Sequence, residues 1–278
     1  MWFTTGFRDR GVHVSHAASD QTSPPSPPLG VQLYSVREDI GPGDLGRTLG
    51  RLAAMGFTHV EPYRILENTD ELAAALAEAG LAATAAHANV VTGERSAYLA
   101  AAGRLGIGTL IVPWAEPAAL RDGDGIGKLA AAINEAARQA ADHGIRVGYH
   151  NHDFEFRQRV GGVPAYEILL DALADSVVLE VDTHWASVGG ADVFELLPRL
   201  AGRVRFLHVT NEPPDDDDPP VLGVDITGRM DEVIAAGHDI GAMAVVEVVV
   251  HEGDVFPVLE RNAAYFAGRL RAAGQVRA

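Results

Sequence analysis

From residue 30 onward, short runs rich in β-branched residues alternate eight times with Ala- and Leu-rich amphipathic stretches, at roughly thirty residues a repeat. The strand segments are Val31–Ser35, His59–Tyr63, Ala82–His87, Thr109–Pro113, Arg146–His150, Val177–Asp182, Val204–Thr210 and Ala244–Val250. Helical patterns fill the intervals, among them Leu45–Met55, Glu71–Ala79, Ser96–Leu105, Gly127–His143 and Val193–Ala201. Gly56, Gly80, Gly106, Gly144 and Gly237 stand where such helices should stop. A strand that must return through a helix pairs in parallel with the next, so eight such units predict a (β/α)₈ TIM barrel. The rival, a doubly wound open sheet, needs a Gly-rich phosphate loop after its first strand. That segment reads Tyr34-Ser35-Val36-Arg37-Glu38 instead.

The barrel is expected to occupy residues 30–274 as a single catalytic domain. Residues 1–29 end in the Pro-rich Ser23–Pro28 and read as a disordered leader. No apolar run approaches the ~20 residues of a membrane span, and the N-terminus lacks a basic-then-apolar signal pattern, so a cytoplasmic location is expected. Cysteine is absent, which removes disulfides, thiolate ligands and Cys nucleophiles from consideration. A net charge of −16 opposes nonspecific nucleic-acid binding, which relies on clustered Lys and Arg. The segment Asn211–Pro220, NEPPDDDDPP, reads as a solvated acidic loop.

Barrel enzymes assemble their sites where the C-terminal ends of several strands converge. Those positions carry Glu61, His87, His150, His152, Asp182, His208 and Glu247. An unpaired buried carboxylate costs roughly several kcal/mol, so such a group needs a cation or matching donors. Glu247 breaks an otherwise unbroken valine run, and Asp182 closes the apolar VVLEVD. Two imidazoles and two carboxylates (His150, Asp182, His208 and Glu247) make a mixed set for one divalent metal. It suits Mn²⁺ first, then Co²⁺, Fe²⁺ or Zn²⁺, better than Mg²⁺ or Ca²⁺, which favour oxygen shells. Tyr34, Trp114, Trp185 and Phe154 are candidates to stack on a sugar face, and Glu61, His87 and Asp225 to contact substrate.

Five segments carry a resemblance over most of the chain, Leu29 to Phe266. They are GVQLYSVRED, GYHNHDFEF, EVDTHWASVGG, HVTNE and VVEVV. Together they resemble the xylose-isomerase-like barrels, the sugar phosphate isomerases/epimerases, in the family's order. The resemblance implies one divalent metal, often Mn²⁺, held at the ends of the last four strands, at His150, Asp182, His208 and Glu247. It also implies a small-molecule sugar substrate. Where the epimerases carry a carboxylate on the fifth strand, this chain has His150, which departs from epimerisation between two carboxylates. Relatives with the HNH segment include lyases and hydratases of 3-keto-glycosides and components of deglycosylating systems. No phosphate-binding Gly/Lys motif is present.

The chemistry expected is removal of a proton beside the carbonyl of a keto-sugar or related polyol. The candidate bases are His152 and Glu247, with Glu155 a third. Proton return yields an isomer or epimer; loss of a β-substituent yields elimination. Schiff-base chemistry needs a strand-borne lysine, and the chain's one lysine, Lys128, begins a predicted helix. A DNA-repair endonuclease barrel is the remote alternative, opposed by the acidic charge. A metal-binding subunit that needs a partner, or a homo-oligomer, stays open.

Overall fold

The computed structural model describes residues 1, 28–41, 43–92, 94–209, 229–249 and 253–275. Eight strands form one parallel sheet: β1 (Leu29–Gln32), β2 (His59–Glu61), β3 (Ala85–His87), β4 (Thr109–Val112), β5 (Arg146–His150), β6 (Val178–Asp182), β7 (Val204–Val209) and β8 (Met243–Val246). Hydrogen bonds link them in the order β2-β1-β8-β7-β6-β5-β4-β3, so the last strand lies beside the first. The ring closes between β2 and β3 through a bridge from His59 to Ala82 and the bond from His87 N–H to Pro62 O, 2.9 Å. This is the expected (β/α)₈ barrel. Its third strand is shorter than expected because Ala82 pairs only as an isolated bridge. The eighth stops at Val246, just before Glu247. Of the leader expected over residues 1–29, residues 2–27 lie outside the described residues, as do the acidic segment 211–220 and Asp225, whereas Leu29 is buried and already belongs to β1.

Helices surround the barrel: α1 (Leu45–Ala54), α2 (Thr69–Ala79), α3 (Arg95–Leu105), α4 (Gly123–Ala141), α5 (Phe154–Arg157), α6 (Ala165–Ala172), α7 (Thr183–Val188), α8 (Val193–Leu200), α9 (Met230–Asp239) and α10 (Phe256–Gln275). In α4 the buried positions Ile126, Ala130, Ile133, Ala137 and Ala140 recur every three or four residues, the stripe that packs on the sheet. This helix starts four residues earlier than its apolar pattern implies. The carboxylate of Asp122 accepts the Gly125 N–H at 2.8 Å and caps it there. Gly237 departs from expectation in another way. It sits inside α9, where a Cβ would meet Leu207 Cδ1 at 2.5 Å, so it serves close helix–strand approach; Gly241, at φ +72°, follows the helix end. Among the described residues no helix is long and apolar enough to cross a membrane.

The barrel interior shows how the site is positioned. Ala85, Ile111, Phe206 and Val245 form a separate apolar cluster. Side chains on a strand alternate faces, so the residue two further on shares the inward face. From Ala85, Phe206 and Val245 that step reaches His87, His208 and Glu247. The apolar plug therefore seals the barrel below the ionisable residues.

Candidate active site

Asp182, on β6, pairs in register with His208 on β7, and His150, on β5, pairs with Glu180. Ligand atoms of His150, Asp182, His208 and Glu247 lie within 4.8 Å of one another, and all four side chains are buried. Asp182 has a second task, since its Oδ1 accepts the Trp185 N–H at 2.7 Å and caps α7. Asn151 bonds across to the Asp182 backbone.

A further residue belongs to the cluster that the strand-end reading did not include. Glu180, completely buried, brings Oε2 to 2.8 Å from His87 Nε2, 3.0 Å from His150 Nδ1 and 3.3 Å from His208 Nε2. His87, His150, Glu180 and His208 form a second compact set sharing two imidazoles with the first. The signal was present: Glu180 interrupts an apolar run just as Glu247 does, two residues before Asp182 and so on its face.

Glu61, expected to touch substrate, is buried in this deeper layer. It accepts from Gln32 Nε2 at 2.8 Å, and its Oε2 lies 2.7 Å from His208 Nε2. It is not on the pocket wall. Glu155, the third candidate base, also lies off the wall, bonded to the Tyr149 hydroxyl (2.8 Å) and the His152 N–H (2.9 Å). Buried there it ties the His152 backbone to Tyr149 on β5.

Above the cluster opens a pocket of about 590 Å³, within the roughly 300–1,000 Å³ typical of small-molecule sites. His87, His150, His152 and Glu247 line it together with Tyr34, Tyr63, Tyr98, Trp114, Phe154 and Trp185. Tyr34 and Trp114 are 40% and 45% exposed, unusual for such large rings, and both face this opening. His152 sits in the aromatic wall, with its ring centroid 4.7 Å from Trp114 and stacked on Phe154 at 5.6 Å. Tyr63 and Tyr98 extend the wall beyond the aromatics expected. Arg64 also lines it, at φ +53°, the one positive value among described non-glycine residues.

Burial and charge set the protonation states. Burial lowers His152 to about 3, helped by neighbouring His150, so its ring is neutral at pH 7. Burial likewise lowers His150 to about 4 despite Glu180. For His208 burial opposes the charge, but Glu180 and Glu247 outweigh it and hold the imidazolium well above its usual range. Burial raises Asp182 to about 7, and it raises Glu61 to about 7 with help from Glu180. Glu247 falls to about 2 because His208 and the other imidazoles overcome its burial.

These residues fit a divalent cation. His208 has a carboxylate oxygen on each ring nitrogen, Glu61 at 2.7 Å and Glu247 at 3.0 Å. A neutral imidazole carries one N–H, so one of those contacts needs a proton or a metal ion between lone pairs. The mixed nitrogen and oxygen donors match a first-row transition ion. Glu61 Oε1 and Glu180 Oε1, both buried, have no hydrogen-bond partner among the described residues, so the cluster has acceptor oxygens left over.

No family model matches the chain, and none of the curated proteins matches it significantly. Solved structures share its fold. A sugar phosphate isomerase/epimerase from Parabacteroides distasonis superposes with a TM-score of 0.73 at 21% identity, covering 92% of this chain and 99% of that one. A probable 3-DHS dehydratase, AsbF, from Bacillus anthracis gives 0.64 at 13% identity, covering 85% and 97%. A xylose isomerase-like TIM barrel protein from Mycobacterium smegmatis, in complex with magnesium, gives 0.60 at 15%, covering 88% and 97%. The fold is thus that of the xylose-isomerase-like TIM barrels.

Proposed function

We propose that this chain is a divalent-metal-dependent enzyme of the sugar isomerase/epimerase type, which removes a proton beside the carbonyl of a keto-sugar or related polyol. The observation that carries the reading is the placement of His150, Asp182, His208 and Glu247 within 4.8 Å of one another beneath a pocket walled by aromatic rings and His152. His150, Asp182, His208 and Glu247 would hold the ion, Mn²⁺ first among the candidates. When bound it would act as a Lewis acid toward the negative charge that builds on the substrate carbonyl oxygen.

The chain's own residues supply the rest. Tyr34, Trp114 and Trp185 offer flat apolar faces to the C–H faces of a sugar ring and keep water from the reacting carbon. His152, whose neutral ring lines the pocket beside the candidate ligands, is the base. As the α C–H bond breaks, its electron pair forms the new C=C bond, the carbonyl π pair moves to oxygen, and the proton passes to the imidazole. The imidazolium then returns that proton to the former carbonyl carbon while the hydroxyl proton on the reacting carbon passes to the former carbonyl oxygen, giving an isomer; an epimer requires a proton delivered to the opposite face by a second group.

Elimination of a β-substituent is the second reading, and one observation favours it. The fifth strand places His150, not a carboxylate, among the cation's candidate ligands, so a second carboxylate base opposed to Glu247 is missing there. The dehydratase with this fold is consistent with such chemistry. Incubating the Mn²⁺-loaded chain with a panel of keto-sugars in D₂O tests both readings, because deuterium enters the α-position whenever the proton is abstracted reversibly. Mass spectrometry of the product separates isomers from eliminated glycals. Neither exchange nor turnover across the panel would overturn the proposal.

A further inference from the structure

We infer that Glu180 is the positioning residue of the cation site, and that the set formed with His87, His150 and His208 is a hydrogen-bonded layer beneath one cation, not a second metal site. The inference rests on the metal reading above.

The hydrogen-bond geometry carries it. Glu180 Oε2 lies 2.8 Å from His87 Nε2 and 3.0 Å from His150 Nδ1. His208 Nε2, at 2.7 Å from Glu61 Oε2 and 3.3 Å from Glu180 Oε2, is shared between the two carboxylates. As a carboxylate Glu180 only accepts, so each ring nitrogen that it faces bears hydrogen. The tautomers follow. With Nδ1–H of His150 given to Glu180, its lone pair is left on Nε2. His208 gives Nε2–H to Glu61 and Glu180, which leaves Nδ1, beside Glu247 at 3.0 Å, as the nitrogen that can release its proton to take an ion. One buried carboxylate therefore decides which nitrogen two separate imidazoles can offer to an ion.

A second cation in the deeper set would need His150 Nδ1 and His208 Nε2 as ligands while their other nitrogens served the first. Both rings would then have lost both ring protons, a far more basic state than any other group here sustains. Protons fill the deeper layer at much lower cost, and they link three imidazoles to the Oε2 atoms of Glu61 and Glu180. A carboxylate that receives the distal N–H of a metal-bound histidine also raises that ligand's basicity, and losing it typically weakens metal binding about 10- to 100-fold.

The test measures Mn²⁺ content and affinity on the full chain. Wild type should hold one ion per chain. Glu180→Gln should remain folded by circular dichroism yet bind Mn²⁺ about 10- to 100-fold more weakly, because a neutral amide oxygen polarises the imidazole N–H groups less than a carboxylate does. Glu180→Asp, which keeps the charge on a shorter arm, should recover part of that loss, and it reads the same effect should the Gln variant fail to fold. Wild-type affinity in both variants overturns the inference, as do two tightly held ions per chain. A wild-type chain that binds no Mn²⁺ overturns the metal reading and this inference with it, whereas the other adverse outcomes leave that reading standing.

Discussion

Asn151 and Asp182 exchange two hydrogen bonds across neighbouring strand ends: Asn151 Nδ2 donates to the Asp182 carbonyl and the Asp182 N–H donates to Asn151 Oδ1, both at 3.1 Å. This side-chain lock fixes the spacing between β5 and β6 just where His150, His152 and Asp182 leave the sheet. Asn151→Ala strands a buried N–H and a buried C=O. A stability loss of about 1–3 kcal/mol in urea unfolding is expected, together with weaker Mn²⁺ binding. An unchanged midpoint and affinity would show that the lock is dispensable.

His152 touches none of the four candidate ligands through a hydrogen bond among those described, but its ring lines the pocket. His152→Ala should therefore keep its full metal content while losing deuterium exchange into substrate by about 100-fold or more, the usual share of a general base. Exchange at the wild-type rate would remove His152 from that role and leave Glu247 as the base.

Glu155 gives the fold a defined pH dependence. Burial, only partly offset by bonds from the backbone and Tyr149, raises its carboxyl from 4.5 to about 7. The folded chain thus binds a proton there that the unfolded chain has released between those two values. The stability this contributes is complete below about pH 4.5 and is lost as pH rises through about 7. Glu155→Gln has no such proton to lose. Relative to wild type, it should gain roughly 2 kcal/mol in unfolding free energy between pH 5.5 and 8. A difference that stays constant with pH would contradict the assignment.

Gly148 faces the barrel interior two residues before His150. A Cβ there would lie 2.5 Å from Ile111 Cδ1, 3.0 Å from Val178 Cγ2 and 3.2 Å from the Val178 carbonyl oxygen. Because one of those atoms is backbone, Gly148→Ala should destabilise the chain by about 1–3 kcal/mol in thermal or urea unfolding. A neutral outcome would mean that β5 shifts without disturbing the plug.

The barrel itself was readable because alternation of strand and helix is written in composition and period. His150, Asp182, His208 and Glu247 were readable because each is an ionisable group beside an apolar strand, where burial without a partner is costly. Glu180 escaped because attention to strand ends passes over a residue two positions deeper. Period-two geometry puts it on the face of Asp182, and the same cost argument applies to it. Glu61 and Glu155 illustrate the converse, since sequence marks a carboxylate near the site but not whether it points into the pocket or beneath it. Gly237 resembled a helix stop because the need for close approach to Leu207 comes from packing between distant segments, which local pattern does not encode.

The central claim is that two imidazoles and two carboxylates hold one ion, and pulsed electron paramagnetic resonance of the Mn²⁺-loaded chain reads it most directly. Nitrogen modulation from two imidazoles is expected in wild type, falling to one in His208→Ala and in His150→Ala. A spectrum of fully hydrated Mn²⁺ without nitrogen coupling would contradict the account.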